Sequence, residues 1–191
     1  MKSLKGTQTE KNLLAAFAGE SQARNRYTFF ASQAKKEGYE QIAEIFTETA
    51  ENEKEHAKLF FKLLQGGDVQ ITAVYPAGVI GTTAENLKAA ADGERFEHTK
   101  LYPDAAEVAD KEGFPEAAAQ FRLISKVEVQ HERRYRALLE NVANGTVFKK
   151  AGDTSWKCRN CGYVHEGNAA PDVCPVCKHP KAYFEILCTA Y

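Results

Sequence analysis

Apolar positions recur at helical spacing through most of the chain. Leu13, Phe17, Tyr27, Phe30 and Ala34 mark one stripe. Ile42, Phe46, Ala50, Ala57, Phe60 and Leu64 mark a second. Residues on one helix face return every three to four positions, so each stripe predicts a long amphipathic helix. Thr7-Gln8-Thr9-Glu10 reads as a capping box opening the first helix, and Gly38 as its stop. Gly66-Gly67 ends the second. Residues 68–81 carry Val69, Ile71, Val74, Tyr75, Val79 and Ile80 among Pro76, Gly78 and Gly81, which breaks the periodicity and predicts a long crossover. Thr82-Thr83-Ala84-Glu85 is a second capping box. The helix it opens is expected to run to about Glu112, kinked at Pro103 because proline lacks a backbone donor. Gly113 ends it. Pro115 suits the first turn of a fourth helix, running to about Asn144. Residues 146–155 read as a polar linker.

Four long helices, short links within each pair and one long crossover match a ferritin-like four-helix bundle. The two halves also repeat. Ala34, Lys36-Glu37-Gly38, Ala43, Phe46, Glu53, His56, Leu63 and Leu64 return 75 residues later as Ala109, Lys111-Glu112-Gly113, Ala118, Phe121, Glu128, His131, Leu138 and Leu139. Gly19-Glu20 returns at Gly93-Glu94, an offset of 74, so one residue has slipped between the copies. Two copies of a helical hairpin facing each other predict a pseudo-symmetric bundle.

The repeat carries chemistry. Glu53 and His56 are three residues apart, as are Glu128 and His131, so each pair shares a helix face. One Glu-x-x-His alone reads as a solvated face. Here, however, Phe46 and Phe60 flank Glu53 at seven residues, and Phe121 and Tyr135 flank Glu128 likewise, which turns both glutamates into the core. Glu20 and Glu94 lie on the apolar stripes of the other two helices. A Glu-x-x-His from each of two helices plus one Glu from each of the others is the ligand set of a carboxylate-bridged dimetal bundle. Buried carboxylates without counter-charge are costly. Two divalent ions supply about +4, and oxygen with imidazole ligands suits iron or manganese. Glu97 follows Glu94 by three, and its repeat counterpart is Ala23. It is either a bystander or a fifth carboxylate ligand. His98 lies about 100° round the helix, at the surface or beside the ligands. Tyr27 and Tyr102 either hydrogen-bond the carboxylates or fill core.

The 191 residues divide by cysteine content: none in the first 157, then Cys158, Cys161, Cys174, Cys177 and Cys188. A secreted disulfide framework would not leave most of the chain empty. Cys158-x-x-Cys161 and Cys174-x-x-Cys177 are two metal knuckles offering four thiolates to zinc or iron, and Cys188 is expected to be a free thiol. A tail of about 35 residues builds little core, so its metal is expected to hold it together. Gly162 after the second knuckle cysteine lets the backbone turn its N–H groups toward sulfur. The expected organisation is a helical bundle over 1–146 and a metal ribbon over 153–191. A formal net charge of -1 argues against nucleic-acid binding. The longest apolar run, Leu13 to Ala18, is far short of a membrane span. The start of the chain has no signal-peptide pattern, so the expected location is the cytoplasm.

With these motifs in view, the chain resembles the rubrerythrin family along essentially its whole length. The resemblance rests on Gly19-Glu20-Ser21-Gln22-Ala23-Arg24, Glu53-x-x-His56, Glu94-x-x-Glu97, Glu128-x-x-His131, Trp156-x-Cys158-x-x-Cys161-Gly162-Tyr163 and Cys174-Pro175-x-Cys177. It implies a non-haem di-iron centre in the bundle and a rubredoxin-like single iron held by Cys158, Cys161, Cys174 and Cys177. It also implies that Glu53 and Glu128 bridge the irons, that Glu20 is terminal on one iron, and that Glu94 and His131 belong to the other. Glu97 and His56 would alternate on the first iron with redox state. The implied activity is reduction of hydrogen peroxide to water in oxidative-stress defence. Electrons would come from an NAD(P)H-dependent reductase or rubredoxin, and the ribbon of one chain would approach the di-iron site of its homodimer partner. No Gly-x-Gly-x-x-Gly fingerprint is present, so nicotinamide is not expected to bind this chain directly. Two other functions fit parts of the pattern: ferritin-like iron oxidation and storage, which needs no electron inlet, and a zinc ribbon serving as an interaction module.

Overall fold

The computed structural model describes residues 2–189. Two helical hairpins form the body. The first pairs α1 (Gln8–Lys36) with α2 (Glu40–Leu63). The second pairs α3 (Thr83–Phe96), a π-helical segment (Glu97–Leu101) and α4 (Tyr102–Lys111) with α5 (Pro115–Ala143). The crossover between α2 and α3 has no regular secondary structure over 64–82. No helix among the described residues is long and apolar enough to cross a membrane.

Local chemistry places these ends. The Thr7 side chain accepts from the Glu10 N–H, and the Glu10 carboxylate accepts from the Gly6 N–H at 2.7 Å. Thr82 and Glu85 complete a full capping box on α3. The two hairpin turns are built alike. The Tyr39 N–H reaches back to the Ala34 carbonyl at 2.9 Å, and the Phe114 N–H to Ala109 at 2.8 Å. Both turns need a left-handed residue, supplied by Gly38 (φ +83°) and Gly113 (φ +78°). The repeat is thus a repeat of backbone geometry as well as of residues.

One expectation needs correction. The third helix is not an α-helix kinked at Pro103. It widens into a π turn before that proline, where the Tyr102 N–H bonds to the Glu97 carbonyl five residues back. Pro103 sits at the start of α4. It has no N–H to offer the preceding turn, which is therefore free to accommodate an extra residue.

The core divides into two apolar layers. Tyr27, Phe30, Phe46 and Tyr135 lead one layer, and Phe60, Tyr102 and Phe121 the other. Buried Glu20, Glu53, His56, Glu94, Glu128 and His131 belong to neither.

The C-terminal part is a three-stranded antiparallel sheet of order β2-β1-β3, with β1 at Lys149–Cys158, β2 at Val164–Ala169 and β3 at Phe184–Ile186. Residues 149–155, expected as linker, therefore belong to β1. Lys149 pairs with Ala169, and the Ala170 N–H bonds to the Phe148 carbonyl at 2.9 Å. Trp156, Cys158, Ala170, Cys174 and Phe184 make the ribbon's small core, with Tyr163 packed against it. The ribbon rests on the α1–α2 turn. Phe148 stacks on Tyr39 with ring centroids 6.0 Å apart.

Candidate metal centres

Each of the four bundle helices presents a glutamate to the interior. Glu20 comes from α1, Glu53 from α2, Glu94 from α3 and Glu128 from α5, and all are fully buried. His56 and His131 follow Glu53 and Glu128 by one turn on the same faces. Ligand atoms of Glu20, Glu53, His56 and Glu128 lie within 4.8 Å of one another, and so do those of Glu53, Glu94, Glu128 and His131. Glu53 and Glu128 belong to both sets. His56 Nδ1 is 2.9 Å from Glu53 Oε2 and 3.0 Å from Glu128 Oε1. His131 Nδ1 is 3.2 Å from Glu53 Oε1 and 2.7 Å from Glu128 Oε2. Each of these two carboxylates thus turns one oxygen to each histidine. Glu20 stands on the His56 side at 3.8 Å, and Glu94 on the His131 side at 3.7 Å.

The site fits cations on its own geometry. Glu20 Oε2, both oxygens of Glu53, His56 Nδ1, Glu94 Oε2, both oxygens of Glu128 and His131 Nδ1 are buried without a directional hydrogen bond. Such a set of convergent, unsatisfied acceptors is costly unless positive charge fills the space between them. The outer oxygens of Glu20 and Glu94, by contrast, are tied back. Tyr102 donates to Glu20 Oε1, and Tyr27 to Glu94 Oε1 at 2.5 Å. Both readings of these tyrosines hold: the rings pack in the core layers and the hydroxyls bond the carboxylates.

The electrostatics agree. Burial first, and then the charge of Glu53, pushes the Glu20 and Glu94 carboxyls above their ordinary range. Burial alone would lower His56, but the adjoining carboxylates of Glu128 and Glu53 outweigh it and lift the ring to about 9. Burial opposes His131 too, yet Glu128, Glu53 and Glu94 raise it to about 12. Protons on these groups take the place that cations would occupy.

Glu97 is brought into neither set. It is half-buried at the first position of the π segment. Burial, followed by the charges of Glu94, Glu128 and Glu53, raises its carboxyl well above the ordinary value. His98 points away and pairs with Glu132 at 2.7 Å. One site residue was not singled out from sequence. Asn52 on α2 faces His131 Nε2 with its Oδ1 at 3.3 Å.

In the ribbon, the four sulfurs of Cys158, Cys161, Cys174 and Cys177 lie within 4.8 Å of one another. Cys158 and Cys174 are buried, while Cys161 is exposed. The two knuckles share one backbone device. Gly162 (φ 78°) and Lys178 (φ 63°) follow the second cysteine of each in left-handed conformation. The next N–H groups, of Tyr163 and His179, then point at Cys161 and Cys177. The His179 N–H leads the effects that hold the Cys177 thiol down to about 6. Cys188 is free and exposed.

The structure thus joins, in one chain, a carboxylate–histidine dimetal bundle and a four-thiolate ribbon. The sequence matches the family model described as Rubrerythrin over residues 11–139, and that described as Rubrerythrin, rubredoxin-like domain, over 156–185. The chain is 64% identical over 190 residues to a rubrerythrin of Porphyromonas gingivalis, covering 100% of this chain and 95% of that one. It is 56% identical over 187 residues to a rubrerythrin of Nitratidesulfovibrio vulgaris, with 98% of each covered. A solved structure described as the fully reduced, all-ferrous state of nigerythrin superposes with a TM-score of 0.64 at 33% identity, over 97% of this chain and 89% of that one. The chain belongs to the rubrerythrin family. Its bundle is a di-iron carboxylate–histidine type and its ribbon a rubredoxin-like four-cysteine iron type.

Proposed function

We propose that the chain is a peroxidase that reduces hydrogen peroxide to two waters, taking two electrons and two protons per turnover, in cytoplasmic oxidative-stress defence. The observation that carries this reading is the pairing of a two-metal carboxylate site with a one-metal thiolate site in a single chain. Loaded with iron, the bundle site supplies both electrons needed to break the O–O bond, and the ribbon resupplies them singly. A storage role would leave the ribbon without a purpose.

The residues divide the work by position. Glu53 and Glu128, shared by both clusters, would hold both metals. Glu20 and His56 complete one metal site, and Glu94 and His131 the other. Glu97, beside these sets, would offer a further carboxylate to the first metal when the centre is oxidised. Tyr102 and Tyr27 hold the outer oxygens of Glu20 and Glu94, so that the inner ones face the metals. Cys158, Cys161, Cys174 and Cys177 hold the ribbon iron.

The ribbon rests on the α1–α2 turn. Glu53 lies thirteen positions beyond Glu40 on α2, about 20 Å along the helix. That separation within one chain favours delivery between subunits of a homodimer. The ultimate donor is rubredoxin or an NAD(P)H-dependent reductase. The test is iron content and visible absorption of protein made with ample iron, followed by peroxide consumption with a reductase and rubredoxin. We expect three irons per chain, thiolate-to-iron colour and peroxide-dependent oxidation of NADH. A colourless zinc ribbon under those conditions overturns the electron-inlet role.

A further inference from the structure

The two histidines are related by the internal repeat, yet their surroundings differ. His131 Nδ1 faces Glu53, Glu94 and Glu128. With Nδ1 committed to that side, the neutral ring carries its proton on Nε2, and only an acceptor can face it. Asn52 Oδ1 occupies that position at 3.3 Å. Asn52 immediately precedes Glu53, and its counterpart in the repeat, immediately before Glu128, is Val127. Valine has no acceptor. Val127 is 39% exposed, and no described residue accepts from His56 Nε2. A hydrogen bond to the distal nitrogen fixes both the tautomer and the orientation of a metal-binding ring.

We infer that Asn52 is a positioning residue that anchors the ring of His131, an anchor for which valine at 127 gives His56 no counterpart. The two half-sites thereby differ at a residue pair lying outside the ligand set. The inference rests on His56 and His131 being metal ligands, as proposed above.

The test uses the full chain loaded with iron(II). Proton NMR in water should show two paramagnetically shifted, exchangeable ring N–H signals in the wild type. Their presence checks the ligand assignment itself, and a wild type lacking them overturns both that assignment and the anchoring. One signal should exchange slowly with water, and the other rapidly. Asn52→Leu should make both exchange rapidly and speed removal of one of the two bundle irons by a chelator by about tenfold or more. Asn52→Asp keeps an acceptor and should preserve the slow signal, a rescue that simple packing would not produce. Should Asn52→Leu fail to fold, Val127→Asn decides: it should slow the second signal. Two signals of equal exchange in the wild type, a slow signal surviving Asn52→Leu, or no change in Val127→Asn would each overturn the inference.

Discussion

The phenol of Tyr27 on α1 donates to Oε1 of Glu94 on α3, 2.5 Å away. Its repeat counterpart Tyr102 donates in return to Glu20 on α1. The two bonds cross the bundle in opposite directions and tie the hairpins together at the metal site. Both phenols are fully buried and held above their ordinary pKa by burial and then by the charge of the facing glutamate. Tyr27→Phe should keep the ring packing but leave a buried carboxylate oxygen without a donor. A bond to a charged group contributes more than a neutral one, so metal-loaded Tyr27→Phe should unfold at lower urea, by about 1.5–3 kcal/mol. Tyr102→Phe should cost a similar amount. Equal stability in urea melts would show that the tyrosines act as core alone.

Much of this was legible before the structure. The capping residues, the glycine stops and the seven-residue flanking of Glu53 and Glu128 by aromatics fix the helices and the faces they bury. The one-residue slip in the repeat was visible too, as an offset of 74 at Glu20–Glu94 against 75 further on. Its location was not. The slip falls between Glu94 and Tyr102, and the π segment Glu97–Leu101 holds the extra residue there. Periodicity cannot distinguish a π turn from a proline kink, because both shift the phase of the stripe. Asn52 is not legible from periodicity because a polar residue beside a helix face looks solvated. Comparing it with Val127 across the repeat is the signal that finds it. The strand at Lys149–Gly152 was hidden because it forms through pairing with a distant segment rather than through its own composition.

Metal removal should reverse the pH dependence of stability. In the metal-free chain, Glu20, Glu94 and Glu97 have raised pKa values, so the folded state binds more protons than the unfolded state above pH 4.5. Stability then falls as pH rises from that point. The raised histidines act in the same sense. The contribution of His56 is full below 6.5 and is lost as pH rises through about 9, and that of His131 is lost through about 12. The apo-protein should therefore melt at progressively lower temperature from about pH 5 upward. Metal binding requires the deprotonated ligands and should favour higher pH across the same window. Calorimetry of both forms from pH 5 to 9 checks this, and parallel profiles would mean that these groups do not meet the metals.

Cys158→Ser should separate the two centres. Cys158 is fully buried in the ribbon core, so the variant should lose ribbon iron and loosen β1. All bundle ligands lie outside the ribbon, and two irons should remain by metal analysis. Reduced chemically beforehand, the variant should consume about one peroxide per di-iron site in a single turnover. Steady turnover with the natural donor should collapse. Undiminished turnover would place electron entry in the bundle itself.

Glu97 breaks the symmetry that the other six bundle ligands keep. Its repeat counterpart is Ala23, and it opens the π segment that its own half alone contains. Glu20, Glu53, His56, Glu94, Glu128 and His131 already form two complete four-ligand sets without it. Glu97→Ala should therefore keep both irons. What it should change is the balance between oxidation states. Ferric iron is the harder acid and favours carboxylate oxygen, whereas ferrous iron accepts imidazole more readily. A carboxylate available at the edge of the site thus stabilises the oxidised form, and its loss should make the centre harder to oxidise. Each ~1.4 kcal/mol of that stabilisation missing from the transition state slows the reaction about tenfold. Stopped-flow oxidation of the pre-reduced variant by peroxide, with iron content measured alongside, checks the expectation. Slower oxidation with both irons retained supports the redox role. Wild-type rates would reduce Glu97 to a half-buried bystander, and loss of an iron would make it a structural ligand instead.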